Sequence, residues 1–318
     1  MSRVRRNPES PDSVRARLAI IATERRAEFQ TVLAEFAAER FLYRLGISSH
    51  ADRFVLKGAT LLTLWRIDRR RATWDIDLHT PARTATAEMI DVIRGILMIT
   101  APDAISFDTK TLETREIRVR NTHGGVSIRV DALLGSARVP LQIDIGFGDV
   151  VIPPASRATF PALLDHPSPE LLVYSRETVV AEKAEAVVTL GATNSRMKDF
   201  YDLFVLASTF DFDGRLLAES IAATFRHRGT RPPDERPLAL TPIFMADPSR
   251  AVQWKAFLRR SRLEAPPDPA RVIEIVEQFI WPPLTAFRDD RPFISTWSAG
   301  GPWVQDRTVS EGHAGFNR

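Results

Sequence analysis

The sequence predicts an α+β fold in which strands gather in the first half of the chain and helices fill the second. Three observations predict it. Short apolar runs of alternating type, "RFVLKG", "TWDIDLH" and "LQIDIGF", lie between residues 53 and 147. From about residue 178 the apolar spacing turns helical. Between the two stretches, Pro153, Pro154, Pro161, Pro167 and Pro169 mark a boundary. The expected organisation is a helical segment at 1–50 packed on a core at 51–152, then a helical lobe at 170–285 and a poorly ordered tail at 286–318.

Each element has a local reason. Residues 1–12 read as a frayed leader. Ser13 is a candidate N-cap for a helix through "VRARLAIIATERRAEF". The period continues through Phe29, Val32, Leu33, Phe36 and Leu42 to a stop at Gly46, as one long helix or two abutting ones. "RFVLKG" is a short buried strand, Gly58 turns the chain, and "ATLLTLW" opens a helix. Thr73–His79 form a second strand. "ATAEMIDVIRGILMIT" is helical, with Ile90, Ile93 and Leu97 on one face. Strands follow at Ser106–Thr109, Val126–Leu133 and Val139–Ile145, the last two joined through "LGSAR" by a hairpin-type connection. Helices are expected near 178–190, 196–208, 214–227, 248–261 and 269–280. After "WPPL" no period is sustained.

Composition narrows the function classes. The 318 residues are 44% hydrophobic, enough to bury a real core. No apolar run approaches the roughly 18 residues that span a bilayer. The basic N-terminus lacks the apolar stretch of a secretory signal, so a cytoplasmic protein with no membrane partner is expected. Cysteine is absent, which excludes disulfides, cysteine nucleophiles and cysteine-held metals. The net charge of +3 comes from 43 basic and 40 acidic residues. Arginine-rich local patches suit phosphate, whose oxygens match the guanidinium fork.

The chemistry-bearing residues begin on the strands. In "TWDIDLH", Trp74, Ile76 and Leu78 share one face, and Asp75, Asp77 and His79 share the other. In "LQIDIGFGD", Leu141, Ile143 and Ile145 share one face, and Gln142 and Asp144 the other. If these strands are neighbours, three carboxylates converge. Like charges so placed repel, and a divalent cation relieves the repulsion; oxygen ligands select Mg²⁺ or Mn²⁺. An isolated Asp-x-Asp is more often a solvated strand face. Here the preceding "KGAT" and the later Asp144 favour a site. Gly58 permits close approach of a phosphate, Ala59 does not block it, and the Thr60 hydroxyl can donate to it. The same turn also serves as an ordinary strand-to-helix connection in which Thr60 only caps. In the helical half, Lys183 lies off the apolar stripe of Ala181, Ala184, Val187 and Val188. Asp199 and Asp202 share a helix face, where first-turn placement and a Lys198–Asp202 surface pair are the plain alternatives.

"FVLKGATLLTLW…RRATWDIDL", "LQIDIGFGD", "VYSRETVVAEKAEAV" and "SRMKDFYDL" resemble the nucleotidyltransferase toxins of the AbiEii/AbiGii family, within the DNA-polymerase-β-like nucleotidyltransferase superfamily. The resemblance covers roughly residues 10–210 in consistent order. It implies a mixed-sheet transferase core followed by a helical lobe. It implies a toxin of a toxin–antitoxin system that moves NMP from an NTP, often a pyrimidine NTP, to the 3′ end of tRNA or another RNA. A winged-helix antitoxin encoded nearby is the implied partner, and a monomer is expected. Carried over by position, Lys57, Gly58, Ala59 and Thr60 would bind the nucleotide. Asp75, Asp77 and Asp144 would hold Mg²⁺ or Mn²⁺ and serve catalysis. Lys183 would hold phosphates, Asp199 would belong to the final catalytic motif, and Asp202 would bind nucleotide. Ala59 departs from the Gly or Ser common there. The segments "FRHRGTR" and "KAFLRRSR" suit an RNA backbone or an ordinary solvated helix face. Two other functions fit the same residues: transfer to a protein hydroxyl or small molecule, and a non-catalytic nucleotide-binding module.

Overall fold

The computed structural model describes residues 9–67, 73, 75–81, 84–117, 124–261, 263 and 267–306. The leader residues 1–8, Trp74, Arg262 and the last stretch of the tail (307–318) lie outside the described residues. The chain divides into two compact units, Met1–Asp149 with Ala155–Tyr174, and Val150–Pro154 with Ser175–Arg318.

The first unit is built on a seven-stranded mixed sheet. Its strands are β1 (Val55–Lys57), β2 (Asp75–Thr80), β3 (Ile105–Ile117), β4 (Gly125–Leu134), β5 (Ala137–Phe147), β6 (Ser156–Thr159) and β7 (Glu170–Val173). Their order is β3-β4-β5-β2-β1-β7-β6. β2 runs parallel to β5 and β1 parallel to β7, while β1 and β2 are antiparallel. Alternation holds for Ile76, Leu78, Leu141, Ile143 and Ile145, which are buried while Asp75, Asp77, Gln142 and Asp144 are partly exposed; it breaks at His79, which is buried with its ring 5.7 Å from that of Tyr174. α2 (Phe29–Ile47) packs over β5 and β7, α4 (Thr86–Leu97) packs on α2 and β3, and α1 (Pro11–Glu24) packs on α2.

Several local expectations are corrected. The first helix is capped by Ser10, whose side chain accepts from the Ser13 N–H; Pro11 then occupies the first turn, where its missing N–H costs nothing. Of the two arrangements expected for the periodic stretch, the structure has two helices, separated where Arg26 adopts a positive φ. Gly46 lies inside α2 rather than ending it. A Cβ there would come 2.6 Å from the Glu170 carbonyl oxygen, so this glycine is a close-packing residue against β7. β3 runs well past the expected Ser106–Thr109, because its outer half alternates charged and threonine residues on a sheet edge and carries little apolar signal. β6 and β7 arise from the proline-punctuated stretch. Beneath the helices lies a charged core: Arg44 makes a bidentate pair with Asp103 at 2.7 and 2.9 Å and also donates to the carbonyls of Ile99 and Ile105.

The second unit contains α5 (Arg176–Leu190), α6 (Met197–Thr209), α7 (Gly214–Arg228), α8 (Pro242–Ala246), α9 (Pro248–Ser261) and α10 (Pro269–Arg288). It also holds a three-stranded sheet, β10-β9-β8, from β8 (Phe212–Asp213), β9 (Ser295–Trp297) and β10 (Trp303–Gln305). The expectation of a poorly ordered tail therefore fails for residues 286–306. Trp297 is fully buried and donates its indole N–H to the Ala207 carbonyl at 2.7 Å. α10 also continues through Pro282 and Pro283, which read as a stop. Pro283 has no N–H for the Phe279 carbonyl one turn earlier. That carbonyl instead accepts from the Trp303 indole at 3.0 Å, so the tail satisfies the helix that the prolines interrupt. Among the described residues no helix is long and apolar enough to cross a membrane.

Candidate active site

The first unit places its predicted residues along one row of the sheet. β2 and β5 run in a register that makes Asp77 the partner of Asp144 and Asp75 the partner of Gln142. Lys57 on β1 lies opposite Asp77, and Ser127 on β4 lies opposite Asp144. All three aspartates are partly exposed, while the residues between them face the core. Asp144 is oriented by a residue noted in the sequence only as sharing its face. Gln142 donates through Nε2 to the Asp144 carboxylate at 3.0 and 3.2 Å, and its own Oε1 accepts from Arg129 at 3.3 Å.

Gly58 sits directly against this row. Its φ is +72°, in the region that favours glycine, and a Cβ there would fall 1.9 Å from Asp77 Oδ2 and 2.6 Å from Asp77 Cγ. Glycine at this position therefore makes room for the Asp77 carboxylate itself, a reason invisible in the motif "KGAT". Thr60 is buried, and its hydroxyl donates at 3.3 Å to the backbone carbonyl of Asp75, tying the turn to β2. The helix that follows, α3 (Thr60–Leu64), is only five residues long. The helix that "ATLLTLW" opens is thus present but short, and the dipole it offers is correspondingly small. Ala59 is buried at this turn.

Lys57, expected to meet nucleotide, pairs with Asp149 at 2.8 Å, and its ammonium lies 5.2 Å from the Tyr174 ring centre. Asp149 was not singled out from sequence. Its signal was the second glycine of "GFGD": Gly148 takes a φ of +72° and turns Asp149 back toward β1.

The second unit brings its three predicted residues together. Lys183 on α5 donates to Asp199 Oδ1 and to Asp202 Oδ2 on α6, each at 2.9 Å. Asp202 is buried and Asp199 nearly so. Two residues along α5, Glu185 accepts from Thr189, Thr230 and Arg228 at 2.6, 2.7 and 2.9 Å. Burial alone would raise its pKa, but these three hydrogen bonds outweigh burial and hold the carboxyl below its ordinary range.

Among the described residues no three His, Cys, Asp or Glu side chains form a ready metal cage. The strand row still fits a hard divalent cation. Its donors are oxygens only, they are partly exposed, and two of them are direct register partners. Mg²⁺ characteristically takes one or two carboxylates and completes its shell from substrate phosphates and water.

Comparison with known proteins gives one family. The model described as the nucleotidyl transferase AbiEii toxin of type IV toxin–antitoxin systems matches residues 40–283. Solved structures similar to this chain include a protein from H. pylori described as a candidate nucleotidyltransferase, at 14% identity and a TM-score of 0.43, covering 82% of this chain and 96% of that one. JHP933 from Helicobacter pylori is similar at 15% identity and a TM-score of 0.43, covering 82% and 93%. Comparison with curated proteins finds no match.

Proposed function

The chain belongs to the AbiEii family of nucleotidyl transferase toxins, and from that premise we propose that its first unit carries the catalytic centre of an NTP-dependent transferase acting on RNA. One observation supports this most: Asp77 has Asp144 as its register partner and a glycine beneath it where no side chain fits. In this reading Asp75, Asp77 and Asp144 hold Mg²⁺ or Mn²⁺, which supplies Lewis-acid charge stabilisation at the reacting phosphate. The chain's own groups do the rest. The Gly58–Ala59 turn lies beside the triphosphate, with Gly58 giving its side-chain space to the Asp77 carboxylate. Asp144, held by Gln142, completes that metal site or accepts the proton of the attacking hydroxyl. That hydroxyl, the 3′ terminus of a tRNA or other RNA, forms a bond to the α-phosphorus as the bond to pyrophosphate breaks. A pyrimidine NTP is the favoured donor.

Lys57 and Lys183 are proposed phosphate ligands. Each already engages carboxylates, so binding a phosphate exchanges one anionic partner for another. The toxin would act in the cytoplasm as a monomer and be opposed by a winged-helix antitoxin encoded nearby. The test is incubation with each labelled NTP in the presence of total RNA and total cell protein. Label on RNA 3′ ends, lost in Asp77→Asn, supports the reading. Label confined to protein or a small molecule replaces RNA as acceptor. No label, with wild type and Asp77→Ala equally toxic on expression, leaves a nucleotide-binding module.

A further inference from the structure

We propose that the outer face of α9 binds the phosphate backbone of the acceptor RNA, an inference that rests on the RNA reading above. α9 spans Pro248–Ser261 and contains Arg250, Lys255, Arg259 and Arg260 with no acidic residue. Its inner face is fixed within the second unit: Trp254 and Phe257 are buried and stack near Tyr201, with ring centres 6.5 and 5.5 Å from it. Arg250 belongs to that inner side. It donates to the carbonyls of Asn194 and Ala192 and lies 4.7 Å from the Phe244 ring centre. Lys255 and Arg259 point the opposite way, four residues apart on one exposed face, and Arg260 flanks them. No carboxylate pairs with any of the three among the described residues.

The contrast with other exposed helices is informative. Arg94 pairs with Asp91 on α4, and Arg271 with Glu274 on α10. A like-charge pair four apart destabilises an isolated helix. α9 keeps such a pair and adds a third cation, while Asp247, just before the helix, accepts from the Ser249 N–H at 2.8 Å. The face suits a polyanion, and arginine suits phosphate oxygens by its planar fork. It does not suit a bilayer surface: an interfacial helix presents its apolar side outward, and here the aromatic side is buried.

The experiment compares full-length wild type with Lys255→Gln/Arg259→Gln/Arg260→Gln. Binding of bulk tRNA is measured in EDTA, so that no transfer occurs, between about 50 and 200 mM salt. Removing three phosphate contacts should flatten the slope of log K against log salt by about two to three, and weaken binding on the order of a hundredfold near 0.1 M. Binding of a labelled NTP and the thermal midpoint should not change. If the triple variant melts early, Arg259→Gln alone should still lower the slope by about 0.7 to 0.9. Equal slopes and affinities in folded wild type and variant overturn the surface while leaving RNA transfer intact. Wild type that binds no RNA and labels only protein or a small molecule overturns both. A variant that keeps RNA binding but loses capture of anionic vesicles or an acidic protein also overturns the RNA assignment.

Discussion

In the first unit Asp77 and Asp144 stand as register partners on adjacent parallel strands, and Asp75 lies two residues back on the same partly exposed face. In the second, Asp199 and Asp202 both close on the Lys183 ammonium at 2.9 Å, and Glu185 two residues along α5 has three donors. One arrangement sets carboxylates side by side on a partly exposed strand face, and the other closes two of them on an ammonium in the interior. Gathered charge costs stability and is retained where it does chemistry; neutralised charge is what a fold requires of buried acids. On the proposed reading, loss of a strand carboxylate should remove activity first, and loss of a member of the Lys183 cluster should also remove stability.

The largest effect should break the second arrangement. Lys183→Met leaves two buried carboxylates without the cation they share, and should cost about 3–5 kcal/mol in denaturant unfolding. Adding Asp199→Asn and Asp202→Asn should recover part of that loss. A Lys183→Met protein as stable as wild type would mean the cluster is not structural. Next, Asp77→Asn removes a like charge from the first arrangement. Transfer should fall roughly 10²–10³-fold with the thermal midpoint changing far less than in Lys183→Met. Loss of stability in step with activity would put Asp77 in the same class as Asp202.

A smaller effect probes the glycine between the two roles. Gly58→Ala combines a positive φ with a Cβ 1.9 Å from Asp77 Oδ2, and should cost about 1–3 kcal/mol. In an Asp77→Ala background the cost should shrink, since the carboxylate it strikes is gone; equal costs in both backgrounds would show that backbone strain alone requires the glycine. This pairing also marks how far the sequence could be read. The alternation in "TWDIDLH" and "LQIDIGF" was enough to put the acidic residues on one face, because strand geometry depends only on neighbours. The contact of Gly58 with Asp77, and of Lys57 with Asp149 92 residues away, depends on which strands pair. β6 carries one apolar residue in four, and β7, though apolar, is only four residues long and directly follows Pro167 and Pro169, so neither registers as a strand. The tail misled for a different reason. Its order rests on two tryptophans, one of which completes a hydrogen bond that Pro283 cannot make.

The smallest effect is in pH dependence, where the two units should slope in opposite directions. Glu39 in α2 is buried beside Arg40, with Leu163 N–H donating to it at 2.6 Å, yet burial outweighs these partners and raises its pKa above the ordinary 4.5. Above 4.5 the folded chain then holds more protons than the unfolded one. This contribution is fully present below the unfolded value and is lost as pH rises through the folded value. Glu185 is held below 4.5, so the unfolded chain binds the proton first as pH falls; its contribution is present above 4.5 and lost as pH drops through the folded value. Glu39→Gln should therefore flatten the stability curve on the alkaline side of 4.5, and Glu185→Gln on the acid side. Unfolding free energies from denaturant titrations across that range would resolve the two slopes. Both substitutions acting on the same side would mean that burial and hydrogen bonding are balanced alike in the two units, and that only the strand carboxylates set them apart.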